Sequence, residues 1–260
     1  MRRAALPLLL VLLGAACTRS PQFLERSVDL GDHQYRYRVW LPSRYNKLHH
    51  WPVVLYLHGS GERGDDNLRQ ISTGLALALQ RYSERYKCVV VFPQARFGQE
   101  WYGEMESQAL AALDASVREF HGDPRRLYLT GVSMGGAGTW YMARHGRKFA
   151  AVVPVCGEIV RPAGDPFPSD LPPDIARIIG SPDPYASLAA AIGSTPVWAF
   201  HGAEDNIVPV AQSRSMVAAL QRVRGRVRYT EYPQMGHEIW DLAYADHDMV
   251  HWLLSQRVGK

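Results

Sequence analysis

The stretch Leu127-Tyr-Leu-Thr-Gly-Val-Ser-Met-Gly-Gly136 constrains this chain more than any other. A β-branched and aromatic run ends abruptly in Gly131-x-Ser133-x-Gly135, and small residues continue through Ala137 and Gly138. The pattern predicts a buried strand, a very tight turn and the start of a helix, with Ser133 at the apex. Gly131 and Gly135 lack a Cβ, so strand and helix can approach closely enough to hold the serine in a strained conformation. That strain lifts its hydroxyl off the sheet, beside the free backbone N–H groups of a helix N-terminus. With 22 glycines in the chain, such a spacing can arise by chance in a loop. The strand before it, the small residues after it and suitable partners downstream weigh against chance.

A serine hydroxyl is a poor nucleophile until a base takes its proton, and the base needs a carboxylate to fix its tautomer. Pro196-Val-Trp-Ala-Phe-His-Gly-Ala-Glu-Asp205-Asn-Ile-Val-Pro209 predicts a strand that breaks at Gly202 into an acid-bearing loop. Val227-Arg-Tyr-Thr-Glu-Tyr-Pro-Gln-Met-Gly-His237 predicts another strand, a loose turn and a histidine. Both lie just past the C-terminal ends of strands, where open α/β sheets build their sites. Asp205 is favoured over Glu204 as the orienting acid, Glu204 being read as a solvated neighbour.

The ten histidines sort by context. His49, His50, His121 and His145 sit in polar surroundings and read as surface residues. His58 and His201 each precede a glycine at a strand end, where support of a loop is the plain reading. His247 and His251 are spaced i, i+4, but no further residue at ligand spacing completes a metal site, so they read as a helix surface. His237, placed last and after Met235-Gly236, is the candidate base.

Acyl transfer builds negative charge on a carbonyl oxygen and calls for preorganised donors. Val53-Val-Leu-Tyr-Leu-His58-Gly-Ser-Gly-Glu-Arg-Gly64 is a hydrophobic strand running into a His-Gly-x-Gly loop. The backbone N–H groups of Ser60 and of Met134, the residue after the serine, are the candidate donors. A phosphate-binding role for this loop is disfavoured by the missing Walker lysine and dinucleotide spacing.

On these residues the chain resembles the α/β-hydrolase superfamily. Within it, the chain is similar to a branch of peptidase-like, phospholipase/carboxylesterase-like and polyhydroxybutyrate-depolymerase-like esterases. The matching stretches are Leu57–Gly64, Val91–Gln94, Arg126–Gly136, Trp198–Gly202 with Asp205, and Gly236-His237 leading to Trp252-Leu-Leu254. The resemblance runs from about Tyr35 to the C-terminus. It implies Ser133 as nucleophile, His237 as base then acid, Asp205 as the group holding the histidine, and hydrolysis of carboxylic esters with no cofactor and no metal. The same apparatus used on peptide bonds is the nearest rival; a tethered binding protein that kept the fold without activity is the other.

The remainder of the chain fits one mostly parallel sheet of about eight strands with helices on both faces. An N-terminal hairpin is expected from Phe23–Leu30 and Tyr35–Leu41. Strands follow near 53–57, 88–92, 127–131, 150–155, 196–200 and 226–231, with helices near 67–82, 104–120, 136–146, 210–222 and 242–256. The domain is assigned to 25–260, with a proline-rich excursion at 158–195 expected to run extended above the catalytic edge. Trp101 and Trp240 are candidates for lining the substrate pocket, with packing as the plainer alternative for both.

Residues 1–16 combine a basic start, the apolar run Leu6–Leu13 and small residues, the pattern of an export signal. Cys17 follows Gly14-Ala-Ala16 and resembles a bacterial lipoprotein processing site, which implies a lipid anchor on a short linker at 17–24 and a periplasmic or membrane-anchored enzyme. Ordinary cleavage near the same point leaves a soluble exported protein. Cys88 opens one strand and Cys156 closes another, so they sit at opposite edges of a parallel sheet, about 17–20 Å apart. A disulfide needs Cα atoms within about 7 Å, so two buried free thiols are expected. The net charge of +4 is mild. The run Arg222–Arg228 carries no nucleic-acid-binding motif and reads as an exposed helix end and strand face.

Overall fold

The computed structural model describes residues 22–161 and 171–259. The export signal, Cys17 and most of its linker lie outside the described residues. The hairpin forms as expected: β1 (Gln22–Leu30) pairs antiparallel with β2 (His33–Leu41), with Leu30 opposite His33 across Gly31 and Asp32. Six parallel strands follow: β3 (Trp51–Leu57), β4 (Val89–Pro93), β5 (Gly122–Val132), β6 (Ala151–Val155), β7 (Val197–Gly202) and β8 (Val227–Tyr232). Their order in the sheet is β1-β2-β4-β3-β5-β6-β7-β8, with β2 antiparallel to β4. This is the α/β-hydrolase fold.

The central strands read as continuous apolar runs because both faces are covered. In β3, Val53, Leu55 and Leu57 pack into one layer and Val54 and Tyr56 into the other. The first layer is roofed by α2 (Glu104–Glu119), α3 (Met134–Met142), α5 (Pro184–Ile192) and α6 (Ala211–Arg222). The second is covered by α1 (Leu75–Arg81), α7 (Trp240–Ala245) and α8 (His247–Ser255). Among the described residues no helix is long and apolar enough to cross a membrane.

Three expectations are corrected. The helix expected at 67–82 is a 3-10 turn at Arg69–Ile71 followed by α1, because Gly74 sits at φ +57° against the Tyr56 hydroxyl and breaks the run. The helix expected at 242–256 is two, divided at Asp246, whose carboxylate caps α8 by accepting from the N–H groups of Asp248 and Met249. The described part of 158–195 is not an extended excursion. It holds α4 (Pro173–Ile179) and α5, each with proline in its first turn, where a missing N–H costs nothing and the fixed φ suits a helix. Asp183 caps α5 by accepting from Ala186 N–H. Cys88 and Cys156 are free and buried, as expected.

Candidate active site

Three strand ends on the carboxyl edge of the sheet bring the candidates together. Ser133 sits between β5 and α3 at φ +53°, ψ −116°, the left-handed region that costs a non-glycine residue about 1–3 kcal/mol. The flanking glycines are required by contact. A Cβ on Gly131 would lie 2.4 Å from the Gly135 carbonyl oxygen, and one on Gly135 would lie 1.9 Å from that of Leu57. Strand and helix therefore cross at backbone distance, and the serine is forced outward.

His237 Nε2 lies 2.8 Å from Ser133 Oγ, and His237 Nδ1 lies 2.7 Å from Asp205 Oδ2. Asp205 is 8% exposed. Burial pushes its carboxyl up, yet side-chain hydrogen bonds from His201 and His237 and backbone N–H groups of Val208 and Ile207 outweigh that and hold it well below the usual range. The two backbone bonds, at 2.8 and 2.9 Å, both go to Oδ1. Being ionised, the carboxylate can only accept, so His237 carries its proton on Nδ1 and Nε2 is left to accept from the serine. Glu204 is exposed. The loops bearing acid and base are locked to each other, since a Cβ on Gly202 would lie 2.0 Å from the Gly236 carbonyl oxygen.

The glycine loop after β3 lies against the serine: a Cβ on Gly59 would be 3.8 Å from that of Ser133. Ser60 opens a 3-10 turn, Ser60–Glu62, and Met134 opens α3. His58 holds this loop. Its Nε2 accepts from Ala95 N–H at 2.9 Å, so Nδ1 carries the proton and donates to the Gly59 carbonyl at 2.6 Å. Burial lowers its pKa to about 4, so the ring is neutral. Trp101 is buried, stacks edge-on against His58 at 4.9 Å and donates its indole N–H to the His58 carbonyl at 2.9 Å. It braces the loop, as the packing alternative has it, and it also borders a small cavity with Met134 and Tyr141. Trp240 is half-buried and edge-on to the His237 ring at 5.8 Å.

Two features of the site escaped sequence reasoning. Cys156, at φ +48° just past β6, places its Sγ 3.2 Å from the His237 carbonyl oxygen. Its position on the strand beside the elbow was the available signal. Burial first, and then the Asp205 charge, push its thiol up to about 12. His201 Nε2 also approaches Asp205 Oδ2, at 3.1 Å. Donor atoms of Cys156, Asp205 and His237 lie within 4.8 Å of one another. They make a poor metal ligand set, because the thiol is protonated and the other two are already hydrogen-bonded together. On the same edge, an open cavity of about 470 Å³ lies among Gln34, Tyr35, Gly64, Gln94 and Arg96, and no residue of the Ser133 site lines it.

Fold and site together define an α/β-hydrolase with a serine, histidine and aspartate in one hydrogen-bonded line. The sequence pattern of the dienelactone hydrolase family matches residues 76–241, and the chain belongs to that family. A protein of Escherichia coli (strain K12), provisionally named a carboxymethylenebutenolidase, is 28% identical over 135 residues, 51% of this chain and 44% of that protein. The bifunctional acetylxylan esterase/xylanase of Neocallimastix patriciarum is 31% identical over 124 residues, 46% of this chain and 17% of that one. The chain thus spans less than half the length of these curated relatives. The crystal structure of a thermostable esterase superposes with a TM-score of 0.74 at 28% identity, covering 90% of this chain and 63% of that one.

Proposed function

We propose that this protein is a serine hydrolase that cleaves carboxylic esters through an acyl-enzyme on Ser133. The observation that carries the proposal is the unbroken line Ser133 Oγ–His237 Nε2, His237 Nδ1–Asp205 Oδ2, with distances of 2.8 and 2.7 Å. His237 takes the hydroxyl proton as Oγ attacks the carbonyl carbon. Asp205 holds the imidazole and stabilises the imidazolium that forms. The Ser60 and Met134 N–H groups receive the oxyanion, which the short approach of the Gly59 loop to Ser133 supports. Collapse of the tetrahedral species expels the alcohol, protonated by His237. Water activated by the same histidine then releases the acid and restores the serine. The names of the relatives, an acetylxylan esterase and a thermostable esterase, support an ester as substrate.

The test is labelling by a fluorophosphonate probe together with turnover of p-nitrophenyl acetate and of short chromogenic peptides. Labelling that disappears in Ser133→Ala, with ester turnover far above peptide turnover, is expected. Faster peptide cleavage would make the enzyme a peptidase. A wild-type protein that neither labels nor turns over would be a binding protein on this fold.

A further inference from the structure

The open cavity of about 470 Å³ beyond the glycine loop has the size of a ligand site, and the triad does not use it. Three strand ends on the carboxyl edge build it. Buried Tyr35, near the start of β2, forms its floor with Gly64 after β3 and Gln94 after β4. Half-buried Arg96 and exposed Asp65 and Phe97 wall it.

Most polar groups around it are committed to the protein. Gln94 donates its amide to the Glu62 carbonyl at 3.1 Å and to Asp66 at 3.0 Å, and accepts from Asn67 N–H at 2.7 Å. Asp66 pairs with Arg69 at 3.1 Å. Arg36 reaches Glu25 and the Asp65 carbonyl oxygen, Gln34 donates to Asp29, and the Tyr35 hydroxyl donates to Glu104. Three side chains are left over. Arg96 lies over the Tyr35 ring at 4.3 Å, and its guanidinium has no acceptor and no ion-pair partner among the described residues. The Asp65 carboxylate likewise has no partner among them. Phe97 is 66% exposed, with the Arg69 guanidinium 5.7 Å from its ring.

An uncommitted cation beside an uncommitted anion suits neither a charged polyanion nor a polycation, since each would meet a like charge. A hydroxyl both donates and accepts. Neighbouring hydroxyls of a neutral sugar can therefore accept from Arg96 and donate to Asp65, while the C–H face of the sugar ring covers Phe97. We propose, on the footing of ester hydrolysis at Ser133, that this cavity is a remote subsite for a neutral glycan, and that the ester cleaved is one carried on an oligosaccharide or polysaccharide. Ser60, a candidate oxyanion donor, is four residues from Gly64, a reach of at most about 13–14 Å. An oligomer held in the cavity can thus extend toward Ser133, which a small free ester cannot do from there. A subsite away from the reacting atoms lowers KM and leaves kcat alone.

The experiment uses the full chain and has two arms. Xylotetraose and cellotetraose are titrated calorimetrically into Ser133→Ala, so that binding is read without turnover. Saturable binding of at least one is expected, and adding Phe97→Ala or Asp65→Ala should abolish it. In the second arm, hydrolysis of acetylated xylan is compared with that of p-nitrophenyl acetate. Phe97→Ala and Asp65→Ala, both at exposed positions, should each raise KM for the polymer about tenfold, so that its kcat/KM falls relative to the small ester. Arg96→Gln should do the same. Leu48→Ala removes an equally exposed apolar side chain that does not line this cavity and should leave the ratio of the two substrates as in wild type. Failure of both tetrasaccharides to bind, or an equal change in ratio for Leu48→Ala, would overturn the proposal. Binding of tetragalacturonate in their place would also overturn it and reassign the cavity to an anion on Arg96. Tetrasaccharide binding by a protein that turns over neither substrate would instead defeat the ester reading, and with it the link between this cavity and catalysis.

Discussion

Two imidazoles reach the same oxygen of Asp205, one from each side, and only one of them can do chemistry. His237 approaches at 2.7 Å from the loop after β8, with its side chain 12% exposed and its far nitrogen on Ser133. His201 approaches at 3.1 Å from within β7 and is fully buried. Its Nδ1 lies 2.7 Å from the Ser213 hydroxyl and its Nε2 2.9 Å from the Val208 carbonyl. The carbonyl can only accept, so His201 carries its proton on Nε2, and Ser213 donates to Nδ1. Both nitrogens are therefore spoken for by groups that never leave. A carboxylate neighbour does not make a histidine a base; a second nitrogen free to face a reactant does.

The sharpest break of that comparison is at the reactant itself. Ser133→Ala should abolish ester turnover, by about 10⁴-fold or more, and His237→Ala should fall as far, because such residues act as a unit. Thermal unfolding should barely move for Ser133→Ala, since among the described residues its hydroxyl hydrogen-bonds to His237 alone. Measured kcat/KM for the two variants differing by orders of magnitude would separate the pair.

Next comes the shared oxygen. Asp205→Asn should cost on the order of 10³–10⁴-fold in kcat by releasing the His237 tautomer, whereas the exposed Glu204→Gln should stay near wild type. The same variant bears on stability. The carboxyl of Asp205 is held below its unfolded value, so it contributes stability that is complete above that value, near about pH 3.9, and is lost as pH falls through the folded one. Urea unfolding should show wild type ahead of Asp205→Asn by a constant margin from neutral pH to about pH 4, and by less below it.

His201 tests whether the buried imidazole is a positioning residue. His201→Ala removes one charge-assisted hydrogen bond, worth about 1.5–3 kcal/mol, so kcat should fall about ten- to a hundredfold with KM little changed. His201→Gln, which can donate to Asp205 again, should recover part of it. A loss as deep as that of His237→Ala in a folded protein would erase the distinction between the two histidines.

The smallest effect belongs to a third ring. His58 is neutral and buried with its pKa near about 4, against about 6.5 when unfolded. The unfolded chain binds the extra proton, so this group's contribution is full above about pH 6.5 and is lost as pH falls towards 4. His58→Gln should have a flatter stability profile across that interval, checked by unfolding midpoints at matched ionic strength.

The line Ser133–His237–Asp205 was legible because each member is announced by punctuation: glycines two residues either side of Ser133, Gly202 before the acid, Gly236 before the histidine. The mostly parallel sheet followed from apolar runs alternating with helical segments, and the hairpin from the two runs flanking Gly31 and Asp32, whereas the strand order came only from the structure. What stayed hidden has physical reasons. Pro173 and Pro184 look like helix breakers until their place at the first turn is known. Gly74 divides a helical pattern through one contact with Tyr56, which is distant in sequence. The second hydrogen bond on Asp205 depends on how β7 turns His201 inward, and Cys156 comes near His237 only because β6 lies beside β5. For Trp101, which follows β4, sequence left packing and pocket lining both open, and only the structure shows the indole folded beneath the loop and bonded to the His58 carbonyl.

The backbone contact between Gly202 and Gly236 has a consequence for how this protein can be altered. With no room for even one methyl group between the two loops, they behave as a single rigid cartridge: shifting one drags the other. Grafting a new acid loop or a new histidine loop from a relative should fail when done singly and succeed when residues 202–205 and 235–237 are exchanged as a set. Variation in substrate preference would then accumulate elsewhere around the rim, leaving the cartridge inherited whole.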